Sequence, residues 1–139
     1  MFKGKKILAI IPARAGSKRV KNKNIVNFKG EPMIAKTVKI AKKCKFIDQI
    51  VVSSESKKIL NICKSYGVNT PFLRDSAYDD KSSVQKATLV AVKQSESHYS
   101  KFDVVIQLMP NCPMRKIETL NSSIKHFFLK KKKISNIFF

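Results

Sequence analysis

A cluster of positive charge follows an apolar run near the start of the chain. The cations of this cluster are Arg14, Lys18, Arg19, Lys21 and Lys23. Gly16 and its small neighbours would allow backbone N–H groups to approach an anion closely, and the cations would neutralise the charge of that anion. These residue types predict a loop that holds a phosphate chain, with a solvated basic turn as the alternative interpretation.

The loop matches neither of the two common glycine-rich phosphate-binding patterns. The residues around Gly16 form neither G-x-x-x-x-G-K-[ST] nor G-x-G-x-x-G. Phosphate binding would therefore depend more on side-chain charge. Arg14 can fork onto phosphate oxygens, and Lys18 and Lys23 can offset charge that builds on a leaving pyrophosphate.

Composition limits the class of protein. A chain of 139 residues, 43% of them hydrophobic, fits one domain with a real core. The formal charge of +20 favours an anionic partner, such as a nucleotide, an acidic sugar, a nucleic acid or a membrane surface. Only four of the 29 cations are arginine, so a solvated lysine surface is the alternative explanation for most of this charge.

Cysteine usage argues against a disulfide framework and against a zinc site. Cys44, Cys63 and Cys112 are an odd number and form no C-x-x-C pair, which fits a reducing cytosol. No apolar run in the sequence is long enough to span a bilayer. We therefore expect a cytoplasmic chain without a membrane segment.

A framework of strands and helices must position the basic loop. Continuous apolar runs predict buried strands over residues 6–11, 49–53 and 103–109, with further extended segments over 68–73 and 134–139. Apolar residues at helical spacing predict four helices between them. These cover residues 33–44, a segment capped by Ser54 or Ser56, a segment capped by Asp79 or Asp80, and residues 117–128. The alternation predicts an α/β fold with a parallel sheet and crossover helices.

The predicted sheet brings the polar clusters to one edge. In parallel α/β sheets, ligands bind beyond the carboxyl ends of the strands. Here those ends are residues 12–24, 53–56, 74–83 and 110–115. Every polar cluster with the potential for chemistry falls on that edge, so the sequence predicts a site there that includes the basic loop.

Several segments of the chain resemble one enzyme family. They are IIPARAGSK and KNKN in residues 10–24, GEPMIA at 30–35, FIDQIVVSSES at 46–56, YGV at 66–68, PFLR at 71–74, DDKSS at 79–83 and PNCPMR at 110–115. This order and spacing closely resemble the acylneuraminate cytidylyltransferases, the CMP-sialic acid synthetase family, over nearly the whole chain.

The resemblance implies a fold and a reaction. The fold would be a three-layer, Rossmann-like nucleotidyltransferase fold with a mainly parallel sheet. CTP would be the donor and a nine-carbon 2-keto sugar acid the acceptor. The anomeric hydroxyl of the sugar would attack the α-phosphorus, and pyrophosphate would leave with the assistance of Mg²⁺.

The resemblance also implies site residues. Family nucleotide contacts match Ala13, Arg14, Lys18, Lys23 and Asn24 in the opening loop, of which Arg14 and Lys23 would be catalytic. Arg74 matches the arginine near the cytosine, and Ser82 and Ser83 match the loop that closes over base and ribose. By residue type alone, Arg74 could be a surface cation and the two serines could be helix caps.

Two departures from the family pattern affect the acceptor and the metal. The family has Q-P-T-S-P after the central strand, whereas Met109 occupies the glutamine position here and Gln107 lies two residues earlier. Because side chains alternate along a strand, Gln107 would lie on the same face. We therefore expect substrate binding by Gln107 and Asn111 and a nonulosonic acid related to sialic acid.

The second departure concerns length. The family chain continues past the 134–139 segment with most of the sugar pocket, a dimerisation element and the paired aspartates that bind the metal. We therefore expect residues 1–139 to be a single, C-terminally truncated nucleotide-binding domain that lacks the metal ligands. Such a chain would bind CTP weakly and catalyse little, and the homodimer of the full-length family would not be expected for it.

Two other functions stay open. The charge of +20 would suit a non-enzymatic nucleic-acid-binding module, although no nucleic-acid-binding motif is present. Another sugar nucleotidyltransferase of the same fold is also possible, such as the enzyme for the eight-carbon acid of lipopolysaccharide. The K-N-K-N segment argues against that enzyme.

Overall fold

A computed structural model describes residues 1–16, 23–76, 82–112 and 114–130 and the strand at residues 136–138. Its main sheet has four parallel strands in the order β4-β1-β5-β6. Their bounds are β1 (Ile7–Pro12), β4 (Gln49–Ser53), β5 (Val104–Gln107) and β6 (Asn136–Phe138). A separate antiparallel hairpin joins β2 (Asn27–Phe28) and β3 (Glu31–Pro32).

The first strand lies at the centre of the sheet. Every residue of β1 is buried, because the run after Lys6 carries no polar side chain that would need water. β1 pairs with β4 from Leu8 to Pro12 and with β5 from Ile7 to Ile10. The expected strands over 6–11, 49–53 and 103–109 are therefore present, within a residue or two of their predicted ends.

Four helices cover both faces of the sheet. They are α1 (Met33–Lys43), α2 (Lys57–Ser65), α3 (Val84–His98) and α4 (Ile117–Leu129). Alternate residues of β1, such as Ile7 and Ile11, pack with α1, α2 and α4, whereas Leu8 and Ile10 pack with α3. This arrangement confirms the three-layer α/β fold, since each face of a parallel sheet needs a helical cover.

Serine side chains cap two of these helices. Ser56 Oγ accepts a hydrogen bond from Ile59 N at 3.3 Å, and Ser83 Oγ accepts one from Lys86 N at 3.1 Å. The first of these caps was one of two predicted alternatives. The predicted cap of α3 was wrong, because the helix begins after Ser83; Asp79 and Asp80 lie outside the described residues.

The extended segment predicted over residues 68–73 does not form a strand of the sheet. The segment lies beside β4 without strand pairing, since Pro71 has no N–H to donate to a ladder. Thr70 Oγ1 instead accepts a hydrogen bond from the buried Val52 N at 3.0 Å. At the far end of the segment, Arg74 N donates to Ser54 O at 2.8 Å, which attaches it to the loop after β4.

In the described part of the chain, no helix has the length and the apolar character needed to cross a bilayer.

The contact between α4 and the sheet can be tested with two leucines. Leu120 is fully buried and Leu89 is 57% exposed. We expect Leu120→Ala to lower the free energy of unfolding by about 2–5 kcal/mol, because it leaves a cavity in the core. The matched change Leu89→Ala should alter it by less than about 0.5 kcal/mol. Urea denaturation followed by circular dichroism measures both, and equal losses would contradict the core described above.

Candidate functional site at the carboxyl edge of the sheet

A cavity of about 160 Å³ lies beyond the carboxyl ends of β1 and β5. Three loops and the first turn of α3 form its walls. The lining residues are Pro12, Arg14, Lys23, Asn24, Arg74, Ser82, Ser83, Val84, Ala87, Met109, Pro110 and Asn111. The position agrees with the edge that the parallel sheet predicts, and the walls come from segments far apart in the sequence.

The loop after β1 contributes three of the predicted residues. Arg14 leaves the end of the strand half-buried, and Lys23 opens a short 3₁₀ helix that spans Lys23–Ile25. The buried Asn24 links the 3₁₀ helix to the end of β1, because its Nδ2 donates to Arg14 O at 2.9 Å. This bond brings Arg14 and Lys23 to one wall of the cavity. Lys18 lies outside the described residues.

Arg74 is a buried cation and not a surface one. Only 4% of it is exposed, and its Nη2 lies 3.6 Å from Glu55 Oε2. Burial lowers the pKa of the Arg74 guanidinium, the nearby Glu55 carboxylate opposes that change, and the charge of Arg14 adds to the lowering. The cavity therefore has two arginines close enough to repel each other.

The two serines stand where the cavity meets α3. Both Ser82 and Ser83 line it, and Ser83 also caps the helix through the hydrogen bond to Lys86 N. The two interpretations of Ser83, as a site residue and as a cap, are thus compatible. The cap fixes its backbone at the rim of the cavity.

Two predicted site residues do not reach the cavity. Ala13 is fully buried, and its N–H donates to Ser53 O at 2.8 Å, so it continues the sheet. Gln107 is buried beneath the cavity floor. Its Oε1 accepts a hydrogen bond from Thr88 Oγ1 at 2.6 Å, and its Nε2 lies 3.3 Å from Met109 Sδ. Met109 lines the cavity instead.

An arginine that the sequence analysis did not assign fixes the opposite wall. Arg115 donates from Nη2 to Met109 O at 3.1 Å and from Nη1 to Thr37 Oγ1 at 3.3 Å. These bonds tie the loop that carries Met109, Pro110 and Asn111 to α1. Burial lowers the pKa of the Arg115 guanidinium, as expected for a cation that packs inside the structure.

Arginine usage is the signal that could have identified this residue. The chain has four arginines among 29 cations. The three within the described ranges, Arg14, Arg74 and Arg115, all lie at this edge, and Arg19 falls outside those ranges. Arginine offers a rigid fork of donors that lysine lacks, so in a lysine-rich chain its positions carry information.

Metal-binding and thiol chemistry have little support here. Among the residues with described positions, no three His, Cys, Asp or Glu side chains come together to bind a metal ion. Cys44 and Cys63 are buried in the core. Burial raises the pKa of both thiols, to about 12 for Cys63, so neither would be an activated nucleophile.

Comparisons with known proteins identify a family. The family model for cytidylyltransferases matches residues 8–138. The chain is 37% identical over 121 residues to CMP-N,N'-diacetyllegionaminic acid synthase of Legionella pneumophila, which covers 86% of this chain and 52% of that protein. It is 36% identical over 123 residues to pseudaminic acid cytidylyltransferase of Campylobacter jejuni, covering 88% and 53%. The chain thus spans about half the length of these relatives.

A solved structure supports the fold. CMP:2-keto-3-deoxy-manno-octonic acid synthetase complexed with CTP superposes with a TM-score of 0.73 at 21% sequence identity, and covers 91% of this chain and 48% of that one. This match identifies the three-layer arrangement as a Rossmann-like nucleotidyltransferase fold.

The buried pair beneath the cavity gives a testable prediction. Thr88→Val keeps the shape of the side chain but leaves Gln107 Oε1 without its donor. We expect a loss of about 1–3 kcal/mol in the free energy of unfolding, the usual cost of an unsatisfied buried acceptor. Thr119→Val on the exposed face of α4 is the matched control. Chemical denaturation of the two variants should separate them, and equal stabilities would contradict the buried pair.

Proposed function

This chain belongs to the cytidylyltransferase family, and from that premise we propose that it is the nucleotide-binding part of an enzyme that transfers CMP from CTP to a sialic-acid-like nonulosonic sugar acid. Pyrophosphate is the second product. One observation carries the proposal: Arg14, Lys23, Asn24 and Arg74, with the two serines at the rim, line one cavity at the carboxyl edge of the sheet. Cations and small polar groups around a pocket of this kind suit a nucleoside triphosphate.

The positions of the polar groups favour one orientation of CTP. The triphosphate lies along the loop after β1, where Arg14 and Lys23 neutralise its charge. The base lies towards Arg74, whose buried guanidinium donates to the carbonyl of cytosine. Asn24 Oδ1 is buried and has no hydrogen-bond donor within the described ranges, so a ribose hydroxyl would satisfy it. Ser82 and Ser83 close the rim.

The reaction is a displacement at the α-phosphorus. The oxygen of the acceptor's anomeric hydroxyl attacks and its proton is released to solvent. The bond from the α-phosphorus to the bridging oxygen of pyrophosphate breaks, and pyrophosphate carries away the electron pair. Arg14 and Lys23 act as catalytic residues, because they offset the negative charge that develops on the leaving group. Position and electrostatics are the main contributions a protein makes to such a transfer.

Magnesium is the cofactor that this reaction class implies. Among the described residues, no three His, Cys, Asp or Glu side chains come together to hold a metal ion. A bound metal ion would supply further charge neutralisation on the phosphates. This chain's own part is to bind and orient the nucleotide.

Two residues of this chain are candidates for binding the acceptor sugar acid. Asn111 lines the cavity and would contact the sugar acid directly. Gln107 would act through Met109, whose sulfur it contacts at 3.3 Å. Legionaminic and pseudaminic acids appear in the names of the relatives, which supports a nonulosonic acid as the acceptor. We place the enzyme in the cytoplasm, where CTP is available.

Binding of CTP can be tested with a pair of lysine variants. Lys23 lines the cavity, whereas Lys101 is exposed beyond the other end of the sheet, before β5. We expect Lys23→Ala to weaken CTP binding about tenfold, the loss of one charge-assisted contact, and Lys101→Ala to leave it unchanged. Isothermal titration calorimetry with CTP, UTP and ATP measures the affinity and the preference for the base.

Two results would contradict the proposal. Equal weakening by both lysine variants would indicate that CTP binds to general surface charge. Salt-sensitive binding of a DNA or RNA oligonucleotide with no preference for CTP would favour the nucleic-acid-binding alternative. Transfer of CMP to the eight-carbon acid in preference to nonulosonic acids would favour the other sugar nucleotidyltransferase.

A further inference from the structure

We propose that Glu55 is a positioning residue of the nucleotide site: its carboxylate holds the Arg74 guanidinium in place relative to the loop after β1. This inference rests on the proposed function. Glu55 Oε1 accepts a hydrogen bond from Ala15 N at 2.6 Å, and Oε2 lies 3.6 Å from Arg74 Nη2. Glu55 does not line the cavity, so it acts on the nucleotide through its two neighbours.

The carboxylate adds side-chain contacts between three segments that are separate in the sequence. Glu55 belongs to the loop after β4, Ala15 to the loop after β1, and Arg74 to the segment that leads towards α3. The backbone supports the same junction, because Arg74 N donates to Ser54 O at 2.8 Å. Glu55 therefore adds a side-chain link between the loop that carries Arg14 and the segment that carries Arg74.

Electrostatics explain why a carboxylate is needed at this point. Only 4% of Arg74 is exposed, and the positive charge of Arg14 acts on it. A buried cation beside a second cation is unfavourable unless an anion lies close. The side chain of Glu55 is 21% exposed, so its charge is partly shielded from water. It can hold the two arginines near each other before the nucleotide binds.

The Glu55 carboxylate should affect the binding of the triphosphate and the binding of the base in different ways. Its negative charge lies beside the loop that would bind the triphosphate, so it opposes an anion there. Its effect through Arg74 is on the base. Removal of the charge should therefore weaken the binding of CTP, which needs Arg74, while leaving the binding of pyrophosphate unchanged or slightly stronger. A residue that only stabilises the fold would weaken both ligands.

Calorimetry with Glu55→Gln tests this difference. The amide oxygen can still accept from Ala15 N, so the variant removes the charge with little change of shape. We expect the Kd for CTP to rise about tenfold and the Kd for pyrophosphate to change by less than about threefold. Glu31→Gln is the matched control, because Glu31 pairs with Lys36 and Lys39 away from the cavity; neither Kd should change.

A double-mutant cycle with Arg74→Lys distinguishes positioning from general stabilisation. If Glu55 acts through Arg74, Glu55→Gln should change the Kd for CTP by less than about threefold once Arg74 has been replaced. Equal weakening in both backgrounds would overturn the proposal. So would parallel losses for CTP and pyrophosphate, or tighter CTP binding by Glu55→Gln, which would indicate that the carboxylate blocks the site.

A measurement without ligand separates this inference from the proposed function. The Nε–H signal of Arg74 in a ¹H–¹⁵N spectrum reports the surroundings of its guanidinium. We expect it to shift in Glu55→Gln and not in Glu31→Gln, and an unchanged signal would overturn the positioning role. A shift in Glu55→Gln, together with a wild-type chain that shows no preference for CTP, would contradict the proposed function alone.

Discussion

Parallel pairing of β1 with β4 on one side and β5 on the other decides where the functional side chains lie. The register aligns Pro12 with Ser53 and Ile10 with Gln107, so the three strands end at nearly the same height in the sheet. Because all three run in one direction, their following loops meet at one edge. The walls of the cavity are the loops after β1 and β5, the segment with Arg74 and the start of α3. The loop after β4 holds Arg74 in place, because Ser54 O accepts a hydrogen bond from Arg74 N.

The second constraint is the repulsion between cations that a site for an anion must bring together. Arg14 and Arg74 act on each other across the cavity, and Glu55 lies beside Arg74. The rest of the positive charge is mostly lysine, such as the exposed Lys43, Lys45 and Lys101. Lysine side chains at a surface are hydrated and separated, so they do not need such support. Arginine is placed where geometry matters, including Arg115 behind the opposite wall.

The framework was predictable because buried strands and amphipathic helices have strong periodic signals. The apolar runs at β1, β4 and β5 and the helical spacing in α1 and α4 led to the correct elements. The segment over residues 68–73 has a strand-like composition but does not pair, since Pro71 removes a donor and Thr70 satisfies Val52 through its side chain. Amino-acid composition does not show whether the backbone groups of a strand will pair with the backbone or with a side chain of the adjacent segment.

By itself, the sequence determined the class of fold, the edge at which polar loops meet and the cations of the opening loop, because all three follow from local residue type and periodicity. Only the tertiary structure decided that Arg74 is buried beside Glu55 and that Met109 and not Gln107 lines the cavity. It also decided that Arg115 fixes the loop after β5. These outcomes depend on contacts between residues distant in the chain, and such contacts are fixed by the packing of the whole sheet and its helices.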